Sequence, residues 1–192
     1  MRHPVRVSTG DPPSGVVTFL FTDIEGSTRR WEADAAAMRE ALAAHDEILR
    51  TAIEWQDGFL FSHTGDGVVA AFASPMSAVD AAVKAQLALD LPVRMGIATG
   101  EAEVRDRDYF GTVLNRAARV MAAGHGGQIL VADSTAGLLS GVDLLDLGRD
   151  GCGMYRFRLG CFKYGQRDYV WSFRRCGRWI RRRETCVRRP RA

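Results

Sequence analysis

The chain has 192 residues, of which 46% are hydrophobic and 26% are charged, and its formal net charge is +3. This length is sufficient for one domain of common size with a buried core. No apolar run reaches the roughly 18 residues that a membrane span requires, so we expect no membrane partner. Residues 1–15 contain three prolines and no apolar stretch, which excludes a secretory signal and predicts a disordered leader.

The charge is divided unevenly along the chain. Residues 1–148 contain 12 Lys and Arg against 20 Asp and Glu, whereas residues 149–192 contain 14 against 3. All four cysteines lie in the second segment, at spacings that fit no zinc site. The cysteine-free first segment suits a reducing compartment, and we predict a cytoplasmic protein. We therefore predict one domain at residues 16–148 and a basic, poorly ordered tail at residues 149–192.

The run Val16–Phe21 has the length and composition of a buried strand, and Asp23 follows at its end. A turn containing glycine comes next, and Ser27 or Thr28 can then cap a helix that begins near Arg29. A carboxylate at a strand end, followed by a helix start, suits a metal-bound phosphate chain. An ordinary strand–turn–helix with Asp23 as a turn residue explains the same stretch, so both interpretations stay open here.

A second acidic residue lies at the tip of a predicted hairpin. Two short strand-like runs, Phe59–Ser62 and Val68–Phe72, are joined by a turn containing Asp66. Carboxylates at the ends of neighbouring strands can share a cation, and Mg²⁺ takes one or two such ligands. Two ions bridging phosphates would form a two-metal site for displacement at phosphorus. A simple Asp-Gly turn is the alternative.

The remaining elements follow in a regular order. Periodicity and turn residues predict helices over residues 29–53, 76–89, 112–122 and 134–139, the last capped by Ser134, and strands over 93–100, 128–132 and 142–147. This order predicts an α/β fold, an α+β sandwich in which helices cover a mostly antiparallel sheet.

The helix at residues 112–122 carries a possible catalytic pair. Asn115 and Arg119 are four residues apart and project from one face of the helix. Such a pair can hold a ribose oxygen and neutralise charge on a transferring phosphoryl group. A solvated helix face is the alternative, and Arg116 is interpreted in that way. Three histidines of the predicted domain show no metal-ligand spacing, and we interpret them as structural: His45, His63 and His125.

With these residues placed, the sequence from Val16 to Gly148 resembles the catalytic domain of bacterial class III nucleotidyl cyclases, the adenylate/guanylate cyclases. Five motifs carry the resemblance, and they occur in the family's order: Phe-Thr-Asp-Ile-Glu-Gly-Ser-Thr, Thr-Gly-Asp-Gly, Asp-Tyr-Phe-Gly, Asn-Arg-Ala-Ala-Arg and Gly-Gly-Gln-Ile-Leu-Val. The resemblance implies the ferredoxin-like βαββαβ core of this family.

The resemblance also implies a role for each matching residue. Two Mg²⁺ or Mn²⁺ ions would be held by Asp23, the Ile24 carbonyl and Asp66. Backbone N–H groups would cradle the triphosphate, and these belong to Glu25, Gly26, Ser27 and Thr28. Asn115 would orient the ribose, Arg119 would stabilise the transition state, and Asp108 occupies the adenine-selecting position.

The implied reaction is attack of the ribose 3′-oxygen of ATP on the α-phosphorus, which yields 3′,5′-cyclic AMP for intracellular signalling and releases pyrophosphate. The family works as a head-to-tail homodimer, with the metal residues on one subunit and the Asn/Arg helix on the other. A monomer is therefore expected to be inactive, and no nucleic-acid partner is expected.

Two departures from the family pattern stand out. The adenine-selecting Asp is normally partnered by a Lys, and here that position is Ser62, so ATP is favoured mainly by Asp108. The final family strand is not recognisable after Gly148. A shifted reading frame from codon 148 permits the expected ending, so we hypothesise a frameshift, which the nucleotide sequence tests. If the tail is real, the alternatives are a catalytically impaired nucleotide-binding module and a polyanion-binding tail.

Overall fold

A computed structural model of the chain describes residues 11–147 and the backbone of three further short strands, at 154–157, 170–174 and 178–182. The chain divides into two compact units, Met1–Arg158 and Leu159–Ala192. Within these described ranges, no helix has both the length and the apolar character needed to cross a membrane.

The first unit is built on one mixed sheet. Its strands are β1 (Gly15–Ile24), β2 (Phe59–His63), β3 (Val68–Phe72), β4 (Val93–Arg105), β5 (Asp108–Phe110), β6 (Ile129–Ala132), β7 (Leu144–Asp146) and β8 (Met154–Phe157). They are ordered β2-β3-β1-β4-β6-β8-β7, with β5 paired to β4. Only the β4–β6 pairing among these described strands is parallel.

The second unit is described by its backbone strands alone. Strand β9 (Val170–Arg174) pairs antiparallel with β10 (Arg178–Arg182). Of the leader predicted over residues 1–15, residues 1–10 lie outside the described residues, whereas Gly15 is the first residue of β1. The other residues of the tail, and the side chains on which the polyanion-binding alternative depends, also lie outside the described part of the chain.

Five helices lie in the described part of the first unit: α1 (Ser27–Ala33), α2 (Ala35–Glu54), α3 (Pro75–Ala88), α4 (Thr112–Ala122) and α5 (Asp133–Ala136). The single helix predicted over residues 29–53 is divided, because the Asp34 carboxylate accepts the N–H groups of Ala36 and Ala37 at 3.0 and 2.9 Å and so caps α2. Ser134 does not cap α5, since that helix begins one residue earlier.

Helices cover both faces of the sheet. Helices α2 and α3 pack on the face that contains Leu20 and Ile24 of β1. Helix α4 packs on the opposite face, against Val17 and Phe19. Alternate residues of β1 thus enter two separate cores, as the two-residue period of a strand requires. This mostly antiparallel sheet between helices confirms the predicted fold class.

The sequence predicts no strand of the domain after Gly148, and the structure differs from this expectation. Residues Met154–Phe157 form β8, which pairs antiparallel with both β6 and β7. Strand β6 has β4 on its other side, so β8 supplies hydrogen-bond partners to a backbone edge that would otherwise lack them.

Helix α4 approaches the sheet closely at Gly96 of β4. A Cβ atom at this position would clash with the backbone nitrogen of Met121 and would lie 2.7 Å from the backbone carbonyl oxygen of Ala117. These are helix backbone atoms, so they cannot rotate away. Glycine at position 96 therefore sets the distance between α4 and the sheet.

We expect the substitution Gly96→Ala to destabilise the domain by about 1–3 kcal/mol, because the added methyl group pushes α4 away from the sheet. Denaturant unfolding followed by circular dichroism measures this change. Gly137→Ala is the matched control, since a Cβ at that position meets only the Asp133 carbonyl oxygen, at 3.8 Å. Equal unfolding midpoints for the two variants would contradict the prediction.

Candidate active site

The end of β1 is fastened to the hairpin between β2 and β3. The Thr22 hydroxyl oxygen accepts the N–H of Val68 at 2.9 Å and donates to the carbonyl oxygen of Val68 at 3.3 Å. A side chain on Gly67 would collide with the Thr22 carbonyl group, so only glycine permits this approach. Asp23 follows Thr22 and Asp66 precedes Gly67, so the junction brings both predicted metal ligands to one end of the sheet.

A second contact joins the hairpin tip to the turn after β1. The Ser27 hydroxyl donates to Asp66 Oδ2 at 2.5 Å. Ser27 is the first residue of α1, and Gly26 precedes it with a φ of 71°, a left-handed conformation that glycine adopts without strain. The β1 end, the glycine turn and the hairpin tip therefore meet.

Asp23 has a cationic neighbour that the sequence reasoning missed. Arg94 lies directly opposite Asp23 in the β1–β4 register, and its Nε and Nη2 atoms are 2.7 and 2.6 Å from Asp23 Oδ2. Both side chains are partly shielded, being 29% and 21% exposed. The signal in the sequence was a single arginine within an otherwise apolar run, Val93–Ile97, at the start of β4.

Glu25 has a structural role that differs from the predicted one. Its N–H, expected to bind phosphate, donates to the Pro92 carbonyl oxygen at 2.9 Å. Its carboxylate accepts the N–H of Gly126 and contacts His125 Nδ1, both at 3.0 Å. Burial raises the pKa of Glu25, but these contacts outweigh it and the pKa lies below its usual range. Glu25 thus ties the glycine turn to the loop before β6.

The donor set fits hard divalent cations. Asp23 and Asp66 supply carboxylate oxygens, and the Ile24 side chain, 1% exposed, anchors the peptide that follows Asp23 in the core. Mg²⁺ and Mn²⁺ favour such oxygen ligands and complete their shells with phosphate and water oxygens. The Arg94 guanidinium occupies Asp23 Oδ2, so an ion at this carboxylate would use the other oxygen or displace the arginine. Within the described residues, no cluster of three or more His, Cys, Asp or Glu side chains is arranged to hold a metal ion. Ions at this site would therefore depend on the two aspartates together with backbone, phosphate and water oxygens.

The predicted catalytic pair lies on the outer face of α4. Asn115 and Arg119 are exposed, whereas Val113, Ala117 and Val120 pack against the sheet from the other side of the helix. The Arg119 Nε atom donates to the backbone carbonyl oxygen of Asn115 at 3.3 Å. Because this face points away from the sheet that carries Asp23 and Asp66, the structure does not bring the two pairs together within one copy.

The predicted base-selecting residues flank an aromatic contact. The rings of Phe61 and Tyr109 lie 4.7 Å apart between centroids, with Ser62 following the first and Asp108 preceding the second. Ser62 is half-buried, and the exposed Asp108 accepts the N–H of Tyr109 at 2.8 Å. The Tyr109 hydroxyl donates to the Pro13 carbonyl oxygen at 2.8 Å, and burial raises the pKa of Tyr109 to about 12.

Comparison with known proteins supports the same family. Residues 67–151 match the family model described as the adenylate and guanylate cyclase catalytic domain. An uncharacterised protein of Mycobacterium tuberculosis is 36% identical over 147 residues, which cover 72% of this chain and 52% of that protein. The chain thus spans about half the length of the first curated relatives that it matches.

Solved structures show the same fold. An adenylate cyclase of Trypanosoma brucei in its monomeric state is similar with a TM-score of 0.71 and 29% identity, covering 78% of this chain and 92% of that one. A dimeric guanylyl cyclase domain of Blastocladiella emersonii has a TM-score of 0.65 and 16% identity, covering 76% and 94%, so it shows the fold alone. The sequence motifs extend from Phe21 to Val131, the family model matches residues 67–151, and solved cyclase domains share the fold over 76–78% of the chain. Together these findings show that the chain belongs to the class III adenylate/guanylate cyclase family.

Proposed function

We propose that this domain converts ATP to 3′,5′-cyclic AMP and pyrophosphate, at sites formed between two copies of the chain. The observation that carries the proposal is the junction of β1 with the hairpin, where Ser27 joins Asp66 to the turn that follows Asp23. Carboxylates and the start of a helix at one end of a sheet suit a metal-bound triphosphate.

In the proposed site, Asp23, Asp66 and the Ile24 carbonyl hold two Mg²⁺ or Mn²⁺ ions. Such ions, when bound, would supply Lewis-acid polarisation of the α-phosphate and would lower the pKa of the ribose 3′-hydroxyl. The N–H groups of Gly26, Ser27 and Thr28 donate to phosphate oxygens. Arg94, which lies against Asp23, adds positive charge beside the same phosphate chain.

The second half of the site comes from a partner copy in this proposal. Asn115 and Arg119 lie on the exposed face of α4, which turns away from the sheet of their own copy. In a head-to-tail dimer, that face meets the metal-binding end of the other copy. Asn115 then orients the ribose, and Arg119 neutralises charge that develops on the transferring phosphoryl group.

The choice of ATP rests on the chemistry of the purine edge. The Asp108 carboxylate accepts from the 6-amino group of adenine, whereas the 6-oxo group of guanine repels it. The T. brucei relative is an adenylate cyclase, and the B. emersonii neighbour is a guanylyl cyclase. In this proposed function the reaction takes place in the cytoplasm, where ATP and Mg²⁺ are supplied and cyclic AMP acts as a signal.

We expect Asp23→Ala and Asp66→Ala each to lower cyclic AMP formation by roughly a thousandfold, because each removes an ion ligand at the reacting phosphate. Purified protein is incubated with Mn²⁺ and ATP, and cyclic AMP is quantified by mass spectrometry. Asp80→Ala removes an exposed carboxylate on α3 and serves as the matched control. The metal roles are wrong if either site variant retains wild-type activity, and the enzyme assignment fails if the wild type forms no product.

A mixing experiment tests the shared site. We expect Asp66→Ala and Arg119→Ala to be inactive separately and to recover about a quarter of wild-type activity when mixed in equal amounts. The reason is that about half of the dimers are mixed, and each mixed dimer has one intact site of two. Mixing Asp66→Ala with Asp23→Ala is the control, because both lesions fall on the same half-site. No recovery in the first mixture would show that the site is not shared.

Replacing Ser62 tests base selection. We expect Ser62→Lys to raise the preference for ATP over GTP by about tenfold or more, because an ammonium group donates to adenine N1, which is an N–H donor in guanine. The measurement is kcat/KM for both nucleotides, with Ser62→Met as a control of similar length without charge. An unchanged ratio for the lysine variant would contradict the position assigned to Ser62.

A further inference from the structure

Asp66 lies in the exposed turn of the hairpin between β2 and β3. Thr64 and Gly67 close the turn through a backbone hydrogen bond of 2.9 Å, and the exposed Gly65 adopts a φ of 97°. An exposed glycine turn permits many conformations. Asp66 therefore depends on contacts from neighbouring residues to keep its carboxylate at the site.

One of these contacts comes from His63, the last residue of β2. Its Nδ1 atom accepts the N–H of Gly65 at 3.1 Å. An accepting nitrogen carries no proton, so the neutral ring has its proton on Nε2. That Nε2 atom lies 3.1 Å from Asp46 Oδ1, close enough for electrostatic attraction although not aligned for a linear hydrogen bond.

The Asp46 carboxylate reaches this point from α2. Its Oδ1 atom is also 2.9 Å from Nδ1 of His45, whose side chain is fully buried. Burial raises the pKa of Asp46, but the contacts with His45 and His63 outweigh that effect and keep the pKa below its usual range. Asp46 is therefore negatively charged at neutral pH and favours the Nε2–H form of His63.

We propose that His63 and Asp46 are positioning residues for Asp66: Asp46 fixes the proton of His63 on Nε2, and His63 Nδ1 then holds the Gly65 amide and with it the hairpin tip. The sequence interpretation gave His63 only a general structural role. The inference rests on the proposed function insofar as Asp66 is taken to bind the metal ion. The contacts themselves link α2, β2 and the turn.

Two substitutions of His63 separate its two contacts. His63→Asn keeps an oxygen near the Nδ1 position, and Asn side chains commonly accept the N–H two residues later. His63→Gln keeps a group near Asp46 and loses that acceptor. We expect the glutamine variant to bind Mn²⁺ about three- to tenfold more weakly in the presence of 3′-deoxy-ATP, which cannot cyclise, and the asparagine variant to stay within about twofold of wild type. Titration with Mn²⁺ followed by electron paramagnetic resonance measures the affinity.

Exchange of the Gly65 amide with solvent provides a readout that does not require metal. We expect this amide, followed by NMR, to exchange at least about tenfold faster in His63→Gln than in wild type or His63→Asn. Arg50→Ala, which removes only exposed ion pairs of α2, is the control for general effects on that helix. Equal exchange and equal Mn²⁺ affinity in the two histidine variants would overturn the inference.

The two readouts also separate the inference from the proposed function. If wild type and Asp66→Asn bind Mn²⁺ equally, the metal role of Asp66 is wrong. The amide exchange of Gly65 then decides alone whether His63 holds the hairpin. If Asp66→Asn weakens Mn²⁺ binding and His63→Gln does not, the proposed metal site stands and the positioning role is wrong.

Discussion

The whole candidate site depends on the contact between the end of β1 and the hairpin of β2 and β3. The Thr22 hydroxyl satisfies both backbone groups of Val68, and the missing side chain of Gly67 lets the two chain segments approach. Two carboxylates brought to one region repel each other unless other groups offset their charge. Here Ser27 donates to one carboxylate and Arg94 pairs with the other, so the acidic pair is compatible with a folded domain.

The helices on the two faces of the sheet carry different functional residues. Helices α2 and α3 cover one face with a continuous apolar core, and α2 also carries Asp46 to the hairpin. Helix α4 covers the other face through Val113, Ala117 and Val120. The outer face of α4 carries the exposed Asn115 and Arg119, so the helix contributes to the core on one side and presents polar residues on the other.

The sequence allowed good predictions where a pattern is local. The bounds of α4 and β3 and the position of the hairpin follow from periodicity and turn residues, and they were predicted closely. The motifs also identified Asp23 and Asp66 as candidate metal ligands without knowledge of the strand pairing. Their roles in binding metal remain predictions, as do those of Asn115, Arg119, Asp108 and Ser62.

Other features depended on contacts between distant parts of the chain. Asp34 lies in a run of residues that favour helix on both sides, and only its capping geometry divides α1 from α2. Arg94 acquires meaning only from the β1–β4 register that sets it opposite Asp23. His63 and Asp46 are seventeen positions apart, and Glu25 is a hundred positions from His125. No spacing rule connects such pairs, because the tertiary fold alone places them together.

The close packing of α4 on the sheet at Gly96 also has a consequence for the proposed pairing of two copies. A helix whose backbone rests directly on strand backbone has little room to slide or rotate. Its outer residues are consequently presented at a defined spacing before any partner arrives. Association then orders fewer degrees of freedom, so less conformational entropy is lost on pairing than if the same two side chains stood on a mobile loop.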